Sequence, residues 1–121
     1  MKVLLVDDEE DVREIARLSL GRVGGMDVIE ASNGPDAVVL AAREKPDFIL
    51  LDMMMPGMDG PATLQALHAN PETSSIRIVF LTAKALPSEV ERLRGLGAVG
   101  VITKPFDPMT LAVEVRRVLG E

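Results

Sequence analysis

Residues that could do chemistry follow directly after four of the five short apolar runs in this 121-residue chain. Carboxylate, hydroxyl and ammonium groups occupy these positions: Asp7, Asp8, Glu9, Asp52, Thr82 and Lys104. Two carboxylates about 4 Å apart repel by about 4 kcal/mol at an effective dielectric near 20, so a cluster of them needs a cation. Three aspartates (−3) and Lys104 (+1) sum to −2, which one divalent ion would neutralise. An all-oxygen ligand set with open positions for water suits Mg²⁺.

A divalent ion beside Asp52 would make that carboxylate a nucleophile able to form an aspartyl phosphate. Thr82 could donate a hydrogen bond and Lys104 a positive charge to the phosphoryl oxygens. A lone acid or threonine after a strand is more often a helix cap than a catalyst. Because compatible groups follow four of the five runs, we interpret the set as a phosphoryl-transfer site.

The apolar runs themselves predict strands that are buried on both faces, because they are unbroken and rich in β-branched residues. They lie at Val3–Val6, Val28–Ile29, Phe48–Leu51, Ile78–Leu81 and Val99–Ile102.

The segments between the runs have the apolar spacing of amphipathic helices. The spacing is carried by three groups of residues: Val12, Ile15, Ala16 and Val23; Leu86, Val90 and Leu93; Leu111, Val115 and Val118. The segments 59–61 (DGP) and 107–108 (DP) are typical of helix starts, and Asn70-Pro71 is typical of a helix end.

Five strands alternating with five helices predict an α/β fold, a doubly wound parallel sheet covered on both faces. Ligands of such sheets bind at the carboxyl ends of the strands, where the reactive groups stand. The length predicts one domain over residues 1–121, with no output domain in the same chain.

Composition excludes several classes of function. The chain has no cysteine, 47% hydrophobic residues and a net charge of −6, so disulfides, thiolate metal sites and thiol nucleophiles are absent. An acidic chain does not favour direct nucleic-acid or membrane binding. No apolar stretch has the length of a signal peptide or a membrane span, so we expect a soluble, cytoplasmic protein.

The chain resembles the receiver domain of two-component response regulators, the CheY-like family. The matching segments are VLLVDDE at 3–9, LLDMMMPGMDG at 50–60, FLTAK at 80–84, GA at 97–98 and KPF at 104–106. The resemblance implies the flavodoxin-like (βα)5 fold, a five-stranded parallel sheet in the order 2-1-3-4-5.

The resemblance also implies roles for individual residues. Asp52 would be the phosphoacceptor, Asp8 and Asp52 would ligate Mg²⁺ directly, and Asp7 would do so through water. The Met54 backbone carbonyl would complete the protein ligands.

Three further groups would hold the phosphoryl group by the same resemblance: the Thr82 hydroxyl, the Ala83 amide and Lys104. The bond between Lys104 and Pro105 is expected to be cis, which the tertiary amide of proline makes less costly than for other residues.

Two departures from the family pattern bear on mechanism. The position three before the lysine, often aromatic in the family, is Val101, so the familiar aromatic switch is absent. Met54 and Lys84 occupy positions that tune hydrolysis, and neither side chain can accept a hydrogen bond from an attacking water. We therefore expect slow self-dephosphorylation.

The implied function is a switch that takes a phosphoryl group from a sensor histidine kinase or phosphotransfer protein and regulates a target protein or output domain. It is not an enzyme beyond its own phosphoryl transfer and slow autodephosphorylation. A phosphohydrolase of the haloacid dehalogenase type is disfavoured, since Met54 stands where that class has a second acid. An unphosphorylated docking module, a phosphorylation-dependent dimer, and a stand-alone or excised receiver remain open.

Weaker signals have simpler explanations. The methionines at 53–55 and 58 belong to the loop motif, where apolar packing explains them better than a Cu(I) site. His68 is interpreted as a solvated side chain rather than a phosphorelay donor. The pair Arg116-Arg117 suits a helix C-terminus.

Overall fold

The five apolar runs form one parallel sheet. In a computed structural model, which describes all residues from Met1 to Glu121, the strand order is β2-β1-β3-β4-β5. This order confirms the predicted flavodoxin-like sheet, and each strand lies within two residues of its predicted bounds. The strands are β1 Lys2–Val6, β2 Asp27–Ala31, β3 Phe48–Asp52, β4 Arg77–Thr82 and β5 Gly100–Thr103.

The register of the sheet aligns the carboxyl ends of its central strands. Val6 pairs with Leu51, and Asp52 pairs with Leu81 one step further along. Thr82 pairs with Thr103 at the end of β5. The residues that follow β1, β3, β4 and β5 are therefore delivered to one edge.

Five α-helices cover the sheet: α1 Glu10–Leu18, α2 Gly34–Glu44, α3 Gly60–Ala69, α4 Pro87–Gly95 and α5 Leu111–Val118. On one face, α1 and α5 bury Ala16, Leu111 and Val115 against the sheet. On the other face, α2, α3 and α4 build a second core that includes Leu64 and Leu93. No helix in the structure is long and apolar enough to span a membrane.

Two of the three helix boundaries predicted from capping residues are confirmed. Asp59 accepts a 2.9 Å hydrogen bond from the Ala62 amide and caps α3, which ends at its C-cap Asn70. Asp107 does not cap α5 as predicted. Its Oδ1 accepts from the Met109 amide at 2.8 Å and so caps a separate turn, and regular helix begins only at Leu111.

The first helix ends in a π-helical segment, Ser19–Val23, which the apolar spacing did not predict. A π-turn contains more residues than an α-turn, so the face of the helix rotates and Val23 is 51% exposed. Gly24 follows because α5 passes close by. A Cβ at this position would lie 2.6 Å from the Leu20 carbonyl oxygen and 2.7 Å from the Ala112 Cβ.

Candidate functional site

An acidic pocket forms at the carboxyl edge of the sheet. One carboxylate oxygen from each of Asp7, Asp8 and Asp52 lies within 4.8 Å of the others. Asp7 is fully buried and Asp52 is 4% exposed, whereas Asp8 is exposed. The three acids predicted from sequence to act together therefore meet in one place.

Lys104 enters this pocket from the end of β5. Its Nζ lies 2.8 Å from Asp7 Oδ2 and 3.1 Å from Asp52 Oδ1, and its side chain is only 17% exposed. Glu9 approaches the same ammonium at 3.9 Å. The peptide bond between Lys104 and Pro105 is cis, the configuration that the sequence resemblance implied.

Arg13 is a residue of the pocket that the sequence did not reveal. Its guanidinium donates a 2.7 Å hydrogen bond to the Asp7 backbone carbonyl and lies 3.6 Å from Glu30 at the end of β2. The Glu9 amide donates to Asp7 Oδ1 at 2.9 Å. These contacts fix the backbone that carries Asp7 and Asp8. The only trace of them in the sequence is an arginine near the start of α1, which is a weak signal.

The oxygen atoms of the pocket fit a hard divalent cation. Asp7 Oδ2 is buried, and its one close partner is the Lys104 ammonium at 2.8 Å. The Met54 carbonyl accepts no hydrogen bond from the rest of the chain. Buried oxygens with free lone pairs are costly, and Mg²⁺ prefers such carboxylate and carbonyl ligands. The acidic cluster is thus suited to Mg²⁺.

The pocket perturbs the ionisation of both its central groups. Burial, and next the charge of Asp7, raise the pKa of Asp52 to about 6, although Lys104 and the Met54 amide act in the opposite direction. Burial by itself lowers the pKa of Lys104, but hydrogen bonds and charges from Asp7 and Asp52 outweigh it and raise the pKa. Lys104 is therefore a fixed positive charge at neutral pH.

Thr82 reaches the same edge, but its hydroxyl is engaged in the loop that follows β4. Its Oγ1 donates to the Lys84 carbonyl at 3.0 Å and accepts from the Lys84 amide at 3.2 Å. Ala83, between them, lines a groove of about 380 Å³ together with Lys104 and Phe106. The predicted hydroxyl and amide donors therefore adjoin the pocket in one compact turn.

Gly60 allows the loop after β3 to fold tightly beneath the pocket. A Cβ at this position would lie 2.6 Å from the Asp52 carbonyl oxygen and 2.9 Å from the Phe80 ring. The Gly60 amide also donates to the Met53 carbonyl at 3.0 Å. Met54, in contrast, points outward and is 77% exposed.

The doubly wound sheet and the acidic pocket at its switch point define a phosphoryl-transfer module of the flavodoxin-like class. A family model described as the response regulator receiver domain matches residues 3–116. The chain therefore belongs to the response regulator receiver domain family.

Several characterised proteins resemble the chain closely. The phosphate regulon regulatory protein PhoB of Pseudomonas aeruginosa is 39% identical over 97% of this chain and 51% of its own length. The response regulator PleD of Caulobacter vibrioides is 42% identical over 95% of this chain and 25% of its own length. The chain thus spans about half, or less, of the curated relatives it matches.

Solved structures agree in fold. The chemotaxis protein CheY4 of Vibrio cholerae superposes with a TM-score of 0.89 at 32% identity, covering 97% of each chain. A response regulator from Chloroflexus aurantiacus superposes with a TM-score of 0.87 at 31% identity, over 99% of this chain and 98% of that one. These matches extend over whole chains of the same size.

Proposed function

We propose that this domain is a phosphorylation switch in which Asp52 accepts a phosphoryl group from a phosphohistidine protein. The observation that supports this most is the state of the Asp52 carboxylate. Its Oδ1 accepts from Lys104 at 3.1 Å and from the Met54 amide at 3.4 Å. Its Oδ2 accepts no hydrogen bond and is not sealed from solvent, so one oxygen stays available as a nucleophile.

Mg²⁺ would be held by Asp8 and Asp52, by Asp7 through water, and by the Met54 carbonyl. When bound, it would supply positive charge to the phosphoryl oxygens and offset the repulsion among the carboxylates. Its fit rests on the all-oxygen cluster of the three aspartates and on the Met54 carbonyl, which accepts no hydrogen bond within the chain.

The proposed phosphoryl transfer forms one bond and breaks one bond. An Asp52 oxygen forms a bond to phosphorus while the bond from phosphorus to the donor imidazole nitrogen breaks, and the imidazole leaves with its electron pair. Lys104 holds a positive charge beside the new acyl phosphate. The Thr82 hydroxyl and the Ala83 amide would donate hydrogen bonds to its oxygens. Reversing a two-state equilibrium from 1:99 to 99:1 takes ~5.5 kcal/mol. Two or three charge-assisted hydrogen bonds, at about 1.5–3 kcal/mol each, can supply that free energy.

The state so formed should be long-lived. Water attack on an acyl phosphate is accelerated by a side chain that orients the water. The side chains at the two flanking positions are the exposed thioether of Met54 and the exposed ammonium of Lys84, and neither can accept a proton from water. The modified domain would then regulate a separate target protein or an attached output domain.

Intact mass spectrometry tests the proposal. After incubation with an acyl phosphate and Mg²⁺, the wild type should gain one phosphoryl group, and Asp52→Asn should gain none. Asp59→Asn is the matched control, because Asp59 is an exposed acid of the same loop and asparagine also caps helices. No adduct and no phosphate release from folded protein would favour a docking module. Steady release of phosphate without an adduct would favour a phosphohydrolase.

A further inference from the structure

Met54 carries the most exposed thioether of the chain and lies two residues after Asp52. The chain has seven methionines and no cysteine, so thioethers are its only sulfur groups. Met54 is 77% exposed and Met109 is 69% exposed, whereas the other five methionines are buried or half-buried. An oxidant in solution therefore reaches these two thioethers more readily than the others.

The neighbouring methionines are shielded from solvent. Met53 is 9% exposed and Met55 is 6% exposed, and both belong to the core that α2, α3 and α4 build on the sheet. Because these two side chains are packed in the core, the thioether between them is the one that the loop after β3 presents to solvent. The three consecutive methionines therefore differ in accessibility, and only the middle one is open to an oxidant.

The backbone of Met54 is tied to the acidic pocket. Its amide donates a hydrogen bond to Asp52 Oδ1 at 3.4 Å. The Gly60 amide donates to the Met53 carbonyl at 3.0 Å and holds the loop in place, so the side chain of Met54 begins at the rim of the pocket. Met109 is tied elsewhere, because its amide donates to the Asp107 carboxylate at 2.8 Å in the turn before α5.

The rim of the pocket is the side from which water would attack a phosphoryl group on Asp52. The attacking oxygen and the leaving oxygen of phosphoryl transfer lie roughly in line, so the water stands on the side of phosphorus opposite Asp52. Asp52 is 4% exposed and lies at the base of the pocket, at the end of β3. The water therefore arrives from solvent, past the exposed side chain of Met54.

Oxidation changes what the Met54 side chain can do to that water. A thioether is only a weak hydrogen-bond acceptor. When hydrogen peroxide reacts with it, a lone pair of Sδ forms a bond to one peroxide oxygen, and the bond between the two peroxide oxygens breaks. The sulfur loses two electrons and becomes a sulfoxide, and the second oxygen leaves with both hydrogens as water.

The sulfoxide of methionine resembles the side chain of glutamine in shape. Its S=O group stands where glutamine has its C=O group, and its methyl group stands where glutamine has its amide nitrogen. The sulfoxide oxygen is polar and accepts hydrogen bonds, and a glutamine side chain that orients the attacking water is a recurring part of phosphoryl hydrolysis. An oxidised Met54 therefore supplies the acceptor that the thioether lacks.

From these observations we infer that Met54 is an oxidation site at which a peroxide shortens the lifetime of the phosphorylated domain. The inference rests on the proposed function, because it concerns the loss of a phosphoryl group from Asp52. Peroxide converts a slow dephosphorylation into a faster one without unfolding the loop, since Met54 is not part of the core. Reduction of the sulfoxide to the thioether restores the slow dephosphorylation.

Limited treatment with hydrogen peroxide tests the inference, first on the unphosphorylated protein. The variant Met109→Leu leaves Met54 as the one largely exposed thioether. Intact mass should show the gain of one oxygen atom, and peptide mapping should place it on Met54. The oxidised and untreated samples are then phosphorylated with an acyl phosphate and Mg²⁺, and the decay of the phosphorylated mass is followed after the donor is removed. We expect the oxidised sample to decay about threefold faster or more.

Matched variants assign the effect to one sulfur atom. Met54→Leu keeps the exposed thioether of Met109, so peroxide should oxidise this variant and leave its decay rate unchanged. Met54→Gln copies the shape of the sulfoxide and should decay faster than the untreated protein without any peroxide. A methionine sulfoxide reductase with a thiol reductant should return the oxidised sample to slow decay, and far-ultraviolet circular dichroism checks that each sample is folded.

Three results would overturn the inference: no oxygen on Met54 while Met53 or Met55 is oxidised, equal decay of the oxidised and untreated samples, or an acceleration that Met54→Leu also shows. Failure of the proposed function has a different signature. It would appear as the absence of any phosphoryl adduct on the untreated protein, and the effect on lifetime would then fall with it. The peptide mapping does not depend on phosphorylation and tests the oxidation site in either case.

Discussion

The ammonium of Lys104 lies 3.1 Å from Asp52 Oδ1 and leaves the other oxygen of that carboxylate without a protein donor. The two oxygens of the Asp52 carboxylate are therefore in different environments. One oxygen is held in place by a permanent positive charge, and the other remains open to an incoming group. In the proposed transfer, Lys104 would therefore orient the Asp52 nucleophile before any phosphoryl group arrives.

Replacing Lys104 by methionine should slow phosphorylation by a small donor about 100-fold or more, because a preorganised charge beside the transferred group is lost. Mg²⁺ affinity should rise in the same variant, since a competing cation leaves the pocket. Stopped reactions followed by intact mass give the rate, and calorimetric titration gives the affinity. Lys45→Met, an exposed lysine outside the pocket, should change neither. Equal rates in wild type and Lys104→Met would contradict the assigned role.

The raised pKa of Asp52 predicts an unusual pH dependence of stability without Mg²⁺. The folded state holds the Asp52 proton up to about pH 6, whereas the unfolded chain releases it near 3.8. The folded state then binds more protons in this window, so the free energy of unfolding falls as the pH rises through it. Asp52→Asn removes this loss and should be more stable than the wild type at pH 7, by about 1–3 kcal/mol.

Urea denaturation in the presence of a chelator, at several pH values between about 4 and 8, measures this difference. We expect the wild-type and Asp52→Asn curves to converge near pH 4, to separate between about pH 4 and 6, and to stay a constant distance apart above that. Curves that stay parallel over the whole range from about pH 4 to 8 would show that the pKa of Asp52 is that of an ordinary exposed acid.

Mg²⁺ should raise the free energy of unfolding of the wild type. Once the Mg²⁺ concentration exceeds the dissociation constant, this gain should grow with the logarithm of the concentration. Asp8→Asn should weaken Mg²⁺ binding about tenfold or more and leave the metal-free protein nearly as stable, because Asp8 is exposed. Thermal shift against Mg²⁺ concentration reports both quantities. Asp27→Asn, at the opposite edge of the sheet, serves as the control, and equal Mg²⁺ responses in the two variants would remove Asp8 from the ligands.

Phosphate loss from Asp52 should accelerate when an acceptor side chain replaces Met54 or Lys84. Met54→Asn, Met54→Glu and Lys84→Gln should each hydrolyse faster than the wild type, by about tenfold for the best of them. Met54→Leu keeps an apolar side chain and should behave as the wild type. The measurement is the decay of the phosphorylated mass after the donor is removed. Rapid loss of the phosphoryl group from the wild-type domain would refute the expected slow dephosphorylation.

The sequence predicted which side chains lie together, because parallel strands place their carboxyl ends at one edge. Asp7, Asp52 and Lys104 follow different strands, yet their side chains meet because of the register of the sheet. The support given by Arg13 could not be predicted, since it depends on a hydrogen bond to a main-chain carbonyl. Val23 was misplaced because its spacing fits a continuous α-helix, whereas the helix becomes π-helical from Ser19 to Val23.

The hydroxyl of Thr82 has a single proton, and in this structure it donates that proton in a hydrogen bond to the Lys84 carbonyl. A phosphoryl oxygen on Asp52 that accepted this proton would remove the bond from Thr82 to the Lys84 carbonyl and leave only the bond from the Lys84 amide to the Thr82 hydroxyl. A neutral hydrogen bond contributes about 1 kcal/mol and one to a charged group about 1.5–3, so the exchange favours the phosphoryl group. If Asp52 is phosphorylated as proposed, the loop before α4 would therefore lose one of its two hydrogen bonds with Thr82, and this loss would need no bulky side chain at Val101.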